Sequence, residues 1–299
     1  MSAAGASAAS RSGGMSAAGA GVPSHSGGAS QADAGVPSRS GTLLRVKRLL
    51  LIGIGAGHPD HLTLQAVKAI GATDVFFIVD KGEVKHELVQ LRLDMIAEHG
   101  RAPYRIAEAR DPERDRDAAA YTAAVDDWRS RRARAVEALI RDELADGETG
   151  AFLVWGDPGV YDSTLAIVEE ILQRGEVVFD YEVVPGISSV AALTAAHRTS
   201  LTQVGRPVHL TTGRRLASDG PTADDLVVML DAHCSFAGLD DYAIHWGAYL
   251  GTEDELLVSG PVAEVGERIK EVRAEARARK GWIMDTYLLR RLSPRPEQA

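Results

Sequence analysis

One cysteine in 299 residues, Cys234, leaves no intrachain disulfide and no thiolate metal cluster to consider. A lone cysteine of this kind reads as a small core residue rather than a reactive thiol. No metal site is expected. No apolar run approaches the ~20 residues that a membrane-spanning helix needs. The N-terminus has no charged segment leading into an apolar one, so neither a secretory signal nor a membrane partner is expected, and the cytoplasm is the default location. Basic residues are in deficit. Lys and Arg total 33 against 42 Asp and Glu, for a net charge of -9. That balance excludes a general nucleic-acid binder, which needs a basic surface to neutralise phosphates. A local basic pocket for a polyanionic small molecule remains compatible with it.

What is present is an apolar fraction of 45%, enough to bury a sizeable core. It is unevenly placed. Residues 1–43 are almost entirely Ala, Gly, Ser, Pro and Thr, with short internal duplications. Such a segment cannot bury enough apolar area to offset its ordering entropy and is expected to be a disordered leader. Beyond it, apolar runs and helical periodicities alternate. Strands are expected at 49–54, 74–79, 104–108, 151–155, 180–184, 208–212, 226–230, 242–250, 255–260 and 282–290. Helices are expected at 62–70, 85–100, 119–146, 163–174, 190–197 and 265–277, with a charged, solvated loop at 111–118. The alternation predicts an α/β fold.

Two glycine-rich turns follow buried strands. The first is Gly53-Ile54-Gly55-Ala56-Gly57-His58-Pro59 and the second is Gly156-Asp157-Pro158-Gly159-Val160-Tyr161. Glycine admits positive φ and close approach, so a ligand can lie against the backbone there. Gly53-x-Gly55-x-Gly57 alone is weak evidence. A dinucleotide fingerprint spaces its third glycine one residue later and opens a helix directly. Asp80 near the end of the second strand keeps a nicotinamide-linked oxidoreductase open as an alternative, while Pro59 delays the helix and weakens that reading. The glycines could also serve only a tight turn. The second turn is more specific. Pro158 fixes φ and Gly156 leaves room, while Asp157 either caps the turn or binds a ligand. Pro185-Gly186-Ile187-Ser188-Ser189 is a third turn of this type, whose serines can cap a helix, meet a ligand, or do both.

Together these segments resemble the tetrapyrrole methylases, which use S-adenosylmethionine as methyl donor. The resemblance covers 49–291 and includes the three turns, the strand end Val228-Met229 and the segment Gly247-Ala248-Tyr249-Leu250-Gly251-Thr252. Within the family it is strongest to the member acting on precorrin-5. The matching segments are Val79-Asp80-Lys81-Gly82, His86-Glu87-Leu88, His209 to Arg215, His245 to Gly251 and Gly281 to Leu288.

The resemblance implies two α/β domains, 44–157 and 158–299, with the cofactor in the cleft between them, and a homodimer. It implies methylation of C1 of precorrin-5 with release of acetate, in cobalamin biosynthesis, leaving S-adenosylhomocysteine. A sister methylase acting at another ring carbon is the nearest alternative. A carrier that binds the macrocycle without turnover is another. Implied cofactor positions are Gly53, Gly156, Asp157, Val160, Tyr161, Ser188, Ser189, Met229 and Ala248. At the first turn this chain has Ala56 and His58 where many relatives carry Pro and Asp. His58, whose unperturbed pKa is ~6.5, therefore joins Asp80 and His86 as a candidate base for deacetylation. Precorrin carboxylates call for cations, and Lys81, Arg92, Arg214 and Arg215 are the candidates.

Overall fold

The computed structural model describes residues 46–80, 86–112 and 121–293, apart from the side chains of 80, 86 and 121–126. The expected leader, Lys81 and most of the charged loop lie outside the described residues.

The first half is a five-stranded, wholly parallel sheet of order β3-β2-β4-β1-β5. Its strands are β1 (Lys47–Gly53), β2 (Val75–Asp80), β3 (Arg105–Arg110), β4 (Thr149–Val154) and β5 (Phe179–Val184). Both faces are covered, which is why β1 and β4 read as unbroken apolar runs. Side chains alternate across the sheet. Leu49 and Leu51 of β1, with Phe152 and Val154 of β4, face one cluster. That cluster is completed by Val136 and Ile140 of α3 (Tyr121–Glu143) and Ile167 and Ile171 of α4 (Thr164–Arg174). Leu50, Ile52, Ala151 and Leu153 face the other, against α1 (Leu64–Ile70) and α2 (His86–His99).

The second half is a mixed sheet of order β6-β7-β10-β8-β9. It comprises β6 (Val208–Thr212), β7 (Asp225–Met229), β8 (Tyr242–Ala248), β9 (Leu256–Pro261) and β10 (Asp285–Arg291). Only β6 and β7 run parallel. One face packs Tyr242, Ile244, Trp246 and Tyr287 against Leu216 of α6 (Gly213–Asp219) and Ile269 of α7 (Val262–Lys280). The other packs Val227 and Leu288 against Val190 and Leu193 of α5 (Ser189–Ala196). Ala56 and Leu250 join this last cluster, so the first glycine turn is anchored to the second half.

The α/β class and nearly every element agree with the sequence reading. Four differences have local causes. The first sheet draws on the chain as far as Val184, because β5 pairs with β1 in parallel register. The division between sheets therefore falls after β5 rather than at 157/158. Residues 213–219, where no helix is expected from the sequence, form α6, capped by the Thr212 hydroxyl, which accepts from the Arg215 N–H. The α7 helix runs on to Lys280, where Gly281 at φ 75 ends it. The last strand begins only at Asp285, because Trp282 is held aside. Its ring packs edge-on to Tyr249 and its carbonyl accepts from the Tyr249 hydroxyl at 2.7 Å.

At the carboxyl ends of β1, β4 and β5, backbone meets backbone. A Cβ on Gly186 would lie 2.1 Å from the Gly156 carbonyl oxygen and 2.8 Å from Gly53. Neither neighbour is a side chain that can rotate away. Gly186→Ala should lower the unfolding free energy by about 3 kcal/mol, the upper end of overpacking costs, in urea titrations; a loss near zero would show that the strand ends yield.

At the opposite ends of β3 and β4, Arg105 makes a bidentate pair with Glu148, at 2.9 and 2.8 Å. That pair, with the Ala145 N–H, pulls the Glu148 carboxyl down to about 2 from 4.5. Because the folded state holds the lower pKa, the stabilisation is complete above pH 4.5 and is lost as pH falls toward 2. Thermal melts of Glu148→Gln should accordingly fall less steeply than wild type between about pH 5 and 2.

Candidate active site

The chain reverses its direction of travel across the first sheet at β1 and β4. From β1 it moves outward to β2 and β3, and from β4 it moves across β1 to β5. In parallel sheets such a point opens a crevice at the carboxyl ends of the strands. Here the two glycine turns meet in it. Gly55 and Gly156 exchange hydrogen bonds, at 3.2 Å from the Gly55 N–H and 2.8 Å from the Gly156 N–H. Both residues have positive φ, 83 and 72.

A cavity of roughly 330 Å³ opens from this crevice to the second sheet. The first half contributes Val79 of β2, Arg92 of α2 and the turn from Trp155 to Asp162. The second contributes Ser188, Ser189, Met229, Leu230, Tyr249, Leu250 and the start of β10. Three lining residues other than glycine sit at positive φ: Tyr161 at 50, Leu230 at 54 and Tyr249 at 50. Bulky residues pay strain there, and such strain concentrates where ligands are held.

Asp157 fixes the wall. One carboxylate oxygen accepts from the Gly159 N–H at 2.8 Å and the other from the Gly186 N–H at 2.9 Å. The first bond caps its own turn, and the second ties that turn to Pro185-Gly186. Ser188 both caps α5, accepting from the Ala191 N–H at 3.3 Å, and lines the cavity.

Of the expected cofactor positions, Gly156, Asp157, Val160, Tyr161, Ser188, Ser189 and Met229 converge on this cavity. Gly53 and Ala248 do not line it. Gly53 is committed to the backbone contact with Gly186. Ala248 is buried in the second-half core, and its neighbours Tyr249 and Leu250 reach the cavity instead.

Among the expected bases, His58 stands outside. It is exposed, and its Nδ1 accepts from the Asp60 N–H at 3.1 Å, capping the 3-10 turn Pro59–His61. Asp80 ends β2 next to the lining residue Val79, and His86 opens α2; their side chains lie outside the described residues. Arg214 and Arg215 are exposed on α6 and do not line the cavity, and Arg215 pairs with Asp219 at 3.3 Å.

Arg92 does line it. Its Nε donates to the Leu153 carbonyl at 2.9 Å and one terminal nitrogen donates to the Leu88 carbonyl at 2.6 Å. Burial, with nearby Arg132, lowers its pKa to about 10, against the opposing pull of Asp162. It remains a cation at neutral pH.

Three charged lining residues were missed in the sequence, Arg132, Asp162 and Asp285. Arg132 of α3 lies 3.2 Å from Asp111 and donates to the Ser163 hydroxyl at 3.0 Å. Asp285 opens β10 at the cavity wall. It accepts from Arg273 at 2.8 Å and from the Trp246 indole at 3.0 Å, and burial raises its pKa. An acid standing immediately before a buried apolar strand was the available signal for Asp285.

Residues 48–266 match the family model for tetrapyrrole (corrin/porphyrin) methylases, and the chain belongs to that family. It is 50% identical over 250 residues to a precorrin-6A synthase (deacetylating) from Sinorhizobium sp, covering 82% of this chain and 96% of that protein. It is 33% identical over 158 residues to a precorrin-2 C(20)-methyltransferase, also from Sinorhizobium sp, covering 49% of this chain and 56% of that one. Among solved structures, the cobalamin synthesis related protein CobF of Corynebacterium diphtheriae superposes with a TM-score of 0.70 at 35% identity. That match covers 83% of this chain and 100% of CobF. A uroporphyrin-III C-methyl transferase from Thermus thermophilus, solved with S-adenosyl homocysteine, shares the fold with a TM-score of 0.51 at 20% identity. It covers 81% of this chain and 92% of that one.

Removing the Asp157 carboxylate leaves two backbone donors without an acceptor. Asp157→Ala should cost about 1–3 kcal/mol in denaturant melts and accelerate hydrogen exchange at Gly186. Asp157→Asn keeps one acceptor and should cost less. Unchanged exchange at Gly186 in Asp157→Ala would rule out the tie.

Proposed function

We propose that the chain is an S-adenosylmethionine-dependent methyltransferase that methylates C1 of precorrin-5 and releases acetate, giving precorrin-6A in cobalamin biosynthesis. The observation that carries the reading is half identity, over nearly the full length of a precorrin-6A synthase, in a chain whose three ligand turns meet in one cavity. A nicotinamide-linked oxidoreductase is set aside by the family membership. The 3-10 turn Pro59–His61 also separates β1 from the first helix, as a pyrophosphate-binding turn would not allow.

The cavity fits the methyl donor. A Cβ on Gly156 would have no atom within 4 Å, so the turn's backbone faces open space. We assign the holding of S-adenosylmethionine to Gly156, Val160, Tyr161, Ser188, Ser189 and Met229, with Asp157 fixing the turns that carry them. Bound there, it supplies a methyl group already activated by its sulfonium. The chain's own task is alignment of the carbon nucleophile. Rigid turns pinned by Asp157 suit it. Acetate release asks for more, a base and a donor to the acyl oxygen. Asp80, His86 and Asp285 are the proposed bases. Asp285 is the one whose described side chain lines the cavity, and burial holds its carboxyl above the usual range. Arg92 is the proposed substrate cation. Lys81 keeps that role as a proposal, next to β2.

We also propose a cytoplasmic homodimer. Exposed Val204, ahead of β6, and Leu210, within it, offer apolar surface for a second copy. The single cysteine suits a reducing compartment. No described helix is long and apolar enough to cross a membrane. The precorrin-2 methyltransferase likeness keeps a sister activity as the second reading.

An anaerobic incubation with precorrin-5 and methyl-labelled S-adenosylmethionine separates these readings. Label in the macrocycle with an equal amount of acetate is expected. Label without acetate, or label appearing only with an earlier precorrin, would establish the sister activity instead.

A further inference from the structure

Two cations line the cavity among the described residues, and they differ. Arg132 has its own acid, Asp111, and lies over the Trp128 ring at 5.3 Å. Arg92 has no carboxylate within ion-pair distance among the described residues; Asp162, which lines the same cavity, acts on it from longer range. Two of its nitrogens are spent on the Leu88 and Leu153 carbonyls, which fix the plane of the guanidinium. Backbone carbonyls accept hydrogen bonds without neutralising the charge. A desolvated guanidinium of this kind is matched by an anion or by developing negative charge on oxygen.

The surroundings narrow the ligand. Ile78, Leu88, Val89 and Leu153 line the same cavity, on β2, α2 and β4. A fixed cation with an apolar flank suits a small group with one charged end and one apolar end. A methyl group joined to a carboxylate, or to a carbonyl becoming one, has that form.

We propose that Arg92 and these apolar walls form the acyl subsite, in which Arg92 donates to the acetyl oxygen as water attacks and then holds the departing acetate. The assignment rests on the reaction proposed above. In that reaction the oxygen of water bonds to the acyl carbon, and the bond from that carbon to C1 of the macrocycle breaks. The electron pair left on C1 forms the new bond to the methyl carbon, and the carbon–sulfur pair returns to sulfur. One proton of the water goes to solvent at attack and the other when acetic acid ionises. Negative charge builds on the acyl oxygen before the carbon–carbon bond breaks. A fixed donor there acts on the transition state rather than on the ground state.

The direct test is acetate itself. Binding of methyl-¹³C acetate to the wild-type protein, followed by NMR line broadening, should be saturable and weakened in the order acetate, propionate, butyrate. It should fall at least about 10-fold in Arg92→Gln, while S-adenosylhomocysteine affinity and thermal midpoint stay near wild type. With precorrin-5, Arg92→Gln should slow acetate release by about 100-fold, the scale of one lost oxyanion donor. Methylguanidinium should restore part of the rate in Arg92→Ala. Should Arg92→Gln fail to fold, Arg92→Lys keeps the charge but not the fork, and should retain acetate binding with weakened affinity. Acetate binding untouched by substitution at Arg92 would overturn the proposal. So would a matching loss of S-adenosylhomocysteine affinity, which would put the donor's carboxylate on Arg92. A raised KM with unchanged kcat would also overturn it, by assigning Arg92 to a peripheral ring carboxylate. Acetate binding that depends on Arg92 in a protein inactive on precorrin-5 would keep the subsite and remove the substrate assignment.

Discussion

Everything at this site depends on three strand ends touching without side chains. Gly53 and Gly186, the latter packed on the Gly156 carbonyl, bring β1, β4 and β5 closer than any Cβ would allow, and the Asp157 carboxylate locks the arrangement through the Gly186 N–H. The contact needs glycine for space at Gly53 and Gly186. Gly156 needs it instead for its positive φ. The turns project from a sheet buried on both faces, so their positions are inherited from a core that cannot relax locally. A ligand that meets Gly156 therefore meets a surface already in place. Preorganisation of this kind is what alignment of a methyl acceptor requires.

The same logic separates what was legible in the sequence from what was not. Buried strands announce themselves as continuous apolar runs, and β1, β2 and β4 were readable for that reason. The ligand turns were readable because glycine and proline at fixed offsets have few other uses. The partition of strands between sheets was not readable. Register and sheet membership come from long-range pairing, and nothing local to residues 179–184 says that they pair with β1. The short helix α6 was hidden because glycine at its first position and arginines after it look like a turn.

Site residues followed a similar division. Those on the second and third turns converge on one cavity because motif and geometry coincide. His58 did not, since its imidazole serves the local turn that Pro59 imposes. Arg92 and Asp285 illustrate opposite cases. Arg92 sits midway along α2 and Asp285 opens β10. Only the folded structure shows that Asp285 is met by Arg273 and Trp246, while Arg92 meets backbone carbonyls alone. Pairing state, rather than residue type or burial, distinguishes them.

The path of the chain gives the Pro185–Ser188 turn a second character. All of the first sheet precedes it and all of the second follows it, so the halves are joined covalently by one crossing, 185–188. Its last residue, Ser188, is also cavity wall. Any rotation of one half on the other passes through the dihedrals of the residues that present Ser188 and Ser189, with Pro185 fixed in φ and the Gly186 N–H held by Asp157. The covalent link between the halves ends in the cavity wall, so a substitution in 185–188 acts on both at once.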